Sequence, residues 1–150
     1  MGLREMSNLQ QRVIAALVAV PFLLFCVLYS DYTFLALFLF IGIMAQLEFY
    51  KLVGSFGGNL PLTFYGTFCG VVLHLLTFFI EKGDIAYQNY YILSPLLTLI
   101  FFIKLYKAKD EKPFKNIAYT FLGIIYVALP FALLTVLAFI KDEQYDPNIV

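Results

Sequence analysis

The 150-residue sequence has no tryptophan, one histidine and two cysteines. Cys26 and Cys69 sit in different apolar runs and form no C-x-x-C pair, which argues against a metal site within the chain and against a disulfide scaffold. Both thiols read as apolar filler. Charge is scarce too. Asp, Glu, Lys and Arg make up 13% of the chain with a net charge of +0, against roughly 25% charged residues in soluble domains. Without a basic excess the sequence lacks the footprint of a nucleic-acid-binding domain. No Walker loop, Gly-x-Ser-x-Gly turn or dinucleotide fingerprint occurs.

Apolar residues fill the space. They account for 62% of the chain, and 17 Phe and 11 Tyr give an aromatic share of 19%. Mean hydropathy is +0.86. A disordered chain is excluded, and a 17.2 kDa chain has too little interior to hide so much apolar surface from water. A polytopic membrane protein is the reading that remains. Five apolar runs stand out, at 13–29, 33–53, 60–80, 87–106 and 117–140. Each is apolar on every side and longer than a barrel strand of about 10 residues, so the runs are helices. The expected fold class is all-α: a polytopic transmembrane helical bundle of about five spans. Residues 1–12 form an N-terminal segment, 13–140 one transmembrane domain and 141–150 a tail.

Turn chemistry marks the breaks: Ser30-Asp31, the Gly-rich stretch 54–61, Glu81-Lys82-Gly83-Asp84, and 107–116 with Pro113. If the runs alternate across a bilayer, eight Lys and Arg fall on one side and two on the other. The positive-inside rule then places the N-terminus, the Gly-rich loop and the Lys-rich loop in the cytoplasm. The first run has no small-residue cleavage site after it and reads as an uncleaved signal-anchor.

Few residues are candidates for chemistry. Glu48 is a carboxylate within an apolar run, with Lys51 at i+3 in reach of an interfacial ion pair. His74 lies on a small and polar stripe with Thr63, Gly66, Thr67, Gly70 and Thr77, which suits close approach of another helix and a hydrogen bond from a neutral imidazole to it. Asp110-Glu111 and Asp142-Glu143 read as solvated loop charge. The basic loop 107–115 reads as a topology signal beside anionic lipid.

Four segments resemble the bacterial phosphatidate cytidylyltransferases. Residues 8–17 with Pro21 resemble that family's opening, a basic residue followed by a span with an early proline. Glu48-Phe49-Tyr50-Lys51-Leu52 resembles the end of its second span. Gly123-x-x-Tyr126-x-x-x-Pro130 resembles a later span, and the Lys-rich loop precedes it as it does in the family. The family's diagnostic Trp-x-x-Asp-Thr, Ser-Pro-Lys-Lys and His-Gly-Gly segments do not occur here. The sequence therefore resembles the N-terminal portion of such an enzyme, with the catalytic half outside these residues, and the 150 residues alone are expected to be inactive.

The resemblance implies phospholipid biosynthesis: CTP and phosphatidate as substrates, CDP-diacylglycerol and pyrophosphate as products. It implies Mg²⁺ held by the other half, and a multi-pass location in the bacterial inner membrane. Arg12, Glu48, Tyr126 and Pro130 are the residues that match the family's motifs. Of these, Arg12 and Glu48 are the candidate substrate-binding residues, and no catalytic residue is assigned. A homodimer is a candidate assembly. The alternatives are a non-enzymatic membrane scaffold and a small transporter subunit with His74 lining its path.

Overall fold

In a medium without hydrogen-bonding solvent, an apolar run must satisfy its backbone N–H and C=O groups internally, and a helix does so within one segment. The computed structural model of the chain describes residues 8–56, 58–106 and 110–139, and every element among them is helical. The segment 1–7, Lys107 and Lys109 of the basic loop, and the tail with Lys141 and Asp142-Glu143 lie outside the described residues.

The chain forms two compact units, 1–37 and 38–150. In the first, α1 (Asn8–Tyr29) meets the start of α2 (Asp31–Ser55) at Ser30. The Thr33 hydroxyl closes this joint by donating to the carbonyls of Cys26 and Ser30, both at 2.7 Å. Asp31 Oδ1 accepts from the Ser30 hydroxyl at 2.9 Å and from the Tyr32 N–H at 2.9 Å.

The second unit contains the rest of α2, then α3 (Thr63–Glu81), a 3₁₀ turn (Tyr87–Ile92), α4 (Leu93–Leu105), α5 (Pro113–Gly123), a π turn (Ile124–Ala128) and α6 (Leu129–Ala138). The α5–π–α6 run is continuous over Pro113–Ala138. Pro130 accounts for its irregularity. A proline ring has no N–H and collides with the carbonyl four residues back, here Tyr126, so the helix widens at that point. Proline also shapes the region expected to hold a further span, 87–106. Pro95 blocks regular α-helix before Leu93, and a tight 3₁₀ turn takes its place. The 3₁₀ turn runs directly into the 13 residues of α4, and together they reach about 30 Å, the thickness of a hydrocarbon core. Among the described residues, four single helices are long and apolar enough to cross a membrane: Arg12–Tyr29, Asp31–Ser55, Thr63–Glu81 and Pro113–Ala138. The protein is a membrane-embedded helical bundle.

Helix α3 packs against α4, α5, the π turn and α6. Its inward residues include Gly66, Cys69, Gly70, His74, Thr77 and Phe78, a spacing of three and four that keeps one face inside. Cys69 joins Ile100, Ile117 and Ile124 in an apolar cluster. At the far end of α3, Phe78 meets Phe139 edge-on with centroids 5.7 Å apart.

The small-residue stripe is used by α2 and the π turn. A Cβ on Gly66 would overlap the Tyr50 hydroxyl and lie 2.8 Å from Tyr50 Cζ. On Gly70 it would overlap the Gln46 carbonyl oxygen and lie 2.9 Å from Ala128 Cβ. Gly42 differs, since a Cβ there sits 3.5 Å from Phe131, an ordinary contact.

Overpacking of this kind costs about 1–3 kcal/mol. Gly66→Ala is accordingly expected to lower the thermal unfolding midpoint of the detergent-solubilised protein. Gly42→Ala should leave it within a degree or two. Equal effects would mean that α2 does not press on Gly66.

Candidate functional site

Polar side chains on inward faces of membrane helices need partners, because lipid supplies none. Here they find one another in a line that ends at the two loops. Gln46 and Tyr50 are one turn apart on α2, opposite Gly66 and Gly70, also one turn apart on α3. Gln46 Nε2 donates to the Gly66 carbonyl at 3.0 Å and to the Tyr50 hydroxyl at 3.2 Å. Tyr50 in turn donates to the Thr120 carbonyl at 2.7 Å. The Thr120 hydroxyl donates to the Asn116 carbonyl at 2.8 Å and accepts the Leu62 N–H at 2.9 Å. Asn116 Oδ1 accepts the Leu60 N–H at 2.7 Å, while Asn116 Nδ2 donates to Asp110 Oδ1 at 2.6 Å.

Lys104 terminates the line. Its ammonium lies 2.7 Å from Asp110 Oδ2 and also donates to the Leu60 carbonyl. The two side chains are 2% and 3% exposed. Burial alone would raise the Asp110 carboxyl. Hydrogen bonds from Lys104, the Lys112 backbone N–H and Asn116, together with the Lys104 charge, reverse that and hold it below the usual carboxylate range. The ion pair thus anchors the Gly-rich loop through Leu60 and the Lys-rich loop through Asp110, beside the start of α5. An open cleft of about 220 Å³ lies there, lined by Gly58, Leu60, Asp110, Glu111, Lys112 and Asn116.

This placement corrects the reading of Asp110 as solvated charge, because its carboxylate is covered by the buried Lys104 ammonium, the Asn116 amide and the Lys112 N–H. The reading of Glu48 with Lys51 as an ion pair fails as well. Both are exposed, and among the described residues no ion pair joins them. Glu48 follows Gln46 by two positions, about 200° around a helix, so Gln46 points inward and Glu48 outward. With Lys51, Leu52 and Ser55 it lines an open cavity of about 330 Å³. Arg12 is exposed on α1, in the first unit, so it and Glu48 do not share a unit. Tyr126 is exposed on the π turn, its ring 6.4 Å from Phe49, and Pro130 is the second residue of α6. His74 makes no hydrogen bond to a neighbouring helix, and its Nε2 is buried without a partner among the described residues.

Of the residues that build the line, Gln46, Asn116 and Thr120 were not singled out from the sequence. Their signal was the matched one-turn spacing of Gln46-x-x-x-Tyr50, Gly66-x-x-x-Gly70 and Asn116-x-x-x-Thr120 on three apolar helices.

The sequence matches the cytidylyltransferase family over residues 10–146. The chain belongs to that family. No curated protein and no solved structure matches it. Every residue of the polar line falls inside the cytidylyltransferase match. A divalent ion at this site would need a group of carboxylate ligands. Among the described residues no three His, Cys, Asp or Glu are grouped to hold one, and both Asp110 oxygens are engaged by Lys104 and Asn116. The described part of this cytidylyltransferase does not fit a metal centre.

Removing one partner of a buried ion pair strands the other. Lys104→Met is expected to destabilise the protein by about 3 kcal/mol, and the double variant with Asp110→Asn should recover part of that loss in a thermal-unfolding cycle. The depressed Asp110 carboxyl adds stability that is fully present above its unfolded value of about 3.9. That contribution disappears as pH falls through the lower folded value. Asp110→Asn should flatten the acid limb of the stability profile below about pH 4, and an unchanged limb would show that the pair is not formed.

Proposed function

We propose that the chain is the membrane-embedded N-terminal portion of a phosphatidate cytidylyltransferase. In the proposed reaction a phosphate oxygen of phosphatidate attacks the α-phosphorus of CTP. The bond to the β,γ-pyrophosphate breaks, and CDP-diacylglycerol and pyrophosphate leave. The observation that carries this reading is the cytidylyltransferase match across 10–146 on a bundle of membrane-length apolar helices. Family membership supports transfer of a cytidylyl group, and a membrane-embedded fold supports a lipid acceptor.

Within that reading the described residues hold the helices and the two loops in register. The Mg²⁺ ligands come from outside these residues, since Asp110 is committed to Lys104. The cleft at Asp110 and Glu111 is not assigned to the triphosphate, because the Lys104 ammonium is committed to Asp110 and Glu111 offsets Lys112 in the wall. Arg12 and exposed Glu48 are the candidates to face a headgroup. Positive-inside charge places the loops and the reaction on the cytoplasmic side, where CTP is available.

Two assays test the proposal. The gene product carrying these residues should form labelled CDP-diacylglycerol from CTP and phosphatidate in membranes depleted of the host's own activity. The purified 150-residue chain in phosphatidate vesicles with CTP and Mg²⁺ should form none. Absence of product in the first assay would overturn the substrate assignment, and turnover in the second would overturn the assignment of the metal ligands to other residues.

A further inference from the structure

His74 projects from α3 about 16 Å along the helix from Thr63, near the middle of a hydrocarbon core about 30 Å thick. It is 3% exposed, and its Nε2 lies buried with no hydrogen-bond partner among the described residues. In lipid such a nitrogen is costly if left unpaired, because no solvent replaces its lost hydrogen bond. The imidazole also borders a half-open pocket with an internal space of about 10 Å³, whose wall includes Gly42, Gln46, Gly70, Ala128 and Phe131. That volume is about what one water molecule requires, and a water is retained only where polar groups meet it.

Gln46 supplies the second polar group. The Gly66 carbonyl can only accept, which fixes the amide nitrogen of Gln46 towards it, and both recorded bonds from this side chain use that nitrogen. Its carbonyl oxygen is left as an acceptor in the wall it shares with His74. A strictly apolar cavity of this size would stay dry, but this one has an imidazole and an amide oxygen on facing helices.

We propose that the cavity between His74 and Gln46 binds a single water molecule that bridges the two side chains. The bridge gives His74 its missing partner. It also extends the polar line, from Lys104 through Asp110, Asn116, Thr120, Tyr50 and Gln46, to a histidine in the centre of the bilayer. The site is independent of the cytidylyltransferase reaction and is tested without an activity assay.

The single histidine makes the test specific, since a chain labelled only with ¹⁵N-histidine has one imidazole. In bilayers, solid-state NMR magnetisation transfer from water to the two ring nitrogens reads the contact. Transfer is expected in the wild-type chain. Gly42→Ala adds a methyl to the cavity wall at an ordinary 3.5 Å from Phe131, so the fold is retained while the space shrinks. Transfer should fall several-fold in that variant. No transfer in the wild type would overturn the proposal. Transfer unchanged in Gly42→Ala would overturn it as well, because water would then reach the ring by another route.

Discussion

The second unit depends on one ion pair in a place where ions are costly. Lys104 and Asp110 both have almost fully covered side chains, Lys104 near the end of α4 and Asp110 in the Lys-rich loop that follows it. Desolvating two charges exceeds their attraction unless their remaining donors and acceptors are satisfied. Here they are, by the Leu60 carbonyl, the Asn116 amide and the Lys112 N–H. That requirement ties the two loops to each other, and the loops in turn set where α3 and α5 begin. A pair that would be weak evidence for stability on a soluble surface acts here as a fastener with a defined geometry.

Glycine and proline carry the other constraints. Gly66, Gly70 and Gly123 are small because Tyr50 and Gln46 occupy the space a side chain would fill. The aromatic ring and the amide must lie that deep to bond carbonyls on neighbouring helices. Pro95 and Pro130 change the local helix winding in opposite ways, one beside a tighter 3₁₀ turn and the other beside a wider π turn. Gly123-x-x-Tyr126-x-x-x-Pro130 therefore has a structural reading: glycine for Tyr50, and proline for the turn on which Tyr126 is displayed.

The all-helical membrane fold was legible because it depends on bulk hydropathy and run length, which survive without tertiary information. Loop positions were legible from Gly, Pro and charge. The run expected at 87–106 is helical over 87–105, but its opening 3₁₀ turn was not legible, because hydropathy does not register the hydrogen bond that Pro95 removes. Asp110 was misread because charge in a loop looks solvated until its neighbours are known, and Lys104 was counted for topology alone. Glu48 drew attention as a charge among apolar residues, whereas Gln46 two positions earlier points inward. Neutral polar residues give little contrast in composition, and here they form the line.

Buried side chains pin the Gly-rich loop to α5. Amide hydrogen exchange at Leu60 and Leu62 tests it most directly. These loop N–H groups donate to Asn116 Oδ1 and Thr120 Oγ1, so they should exchange as slowly as helical amides, while Gly58 exchanges freely. Protection at Leu60 should be lost in Asn116→Ala. Fast exchange at both positions in the unaltered protein would contradict the account, because the loop would then be free of the helices that the ion pair is said to fasten.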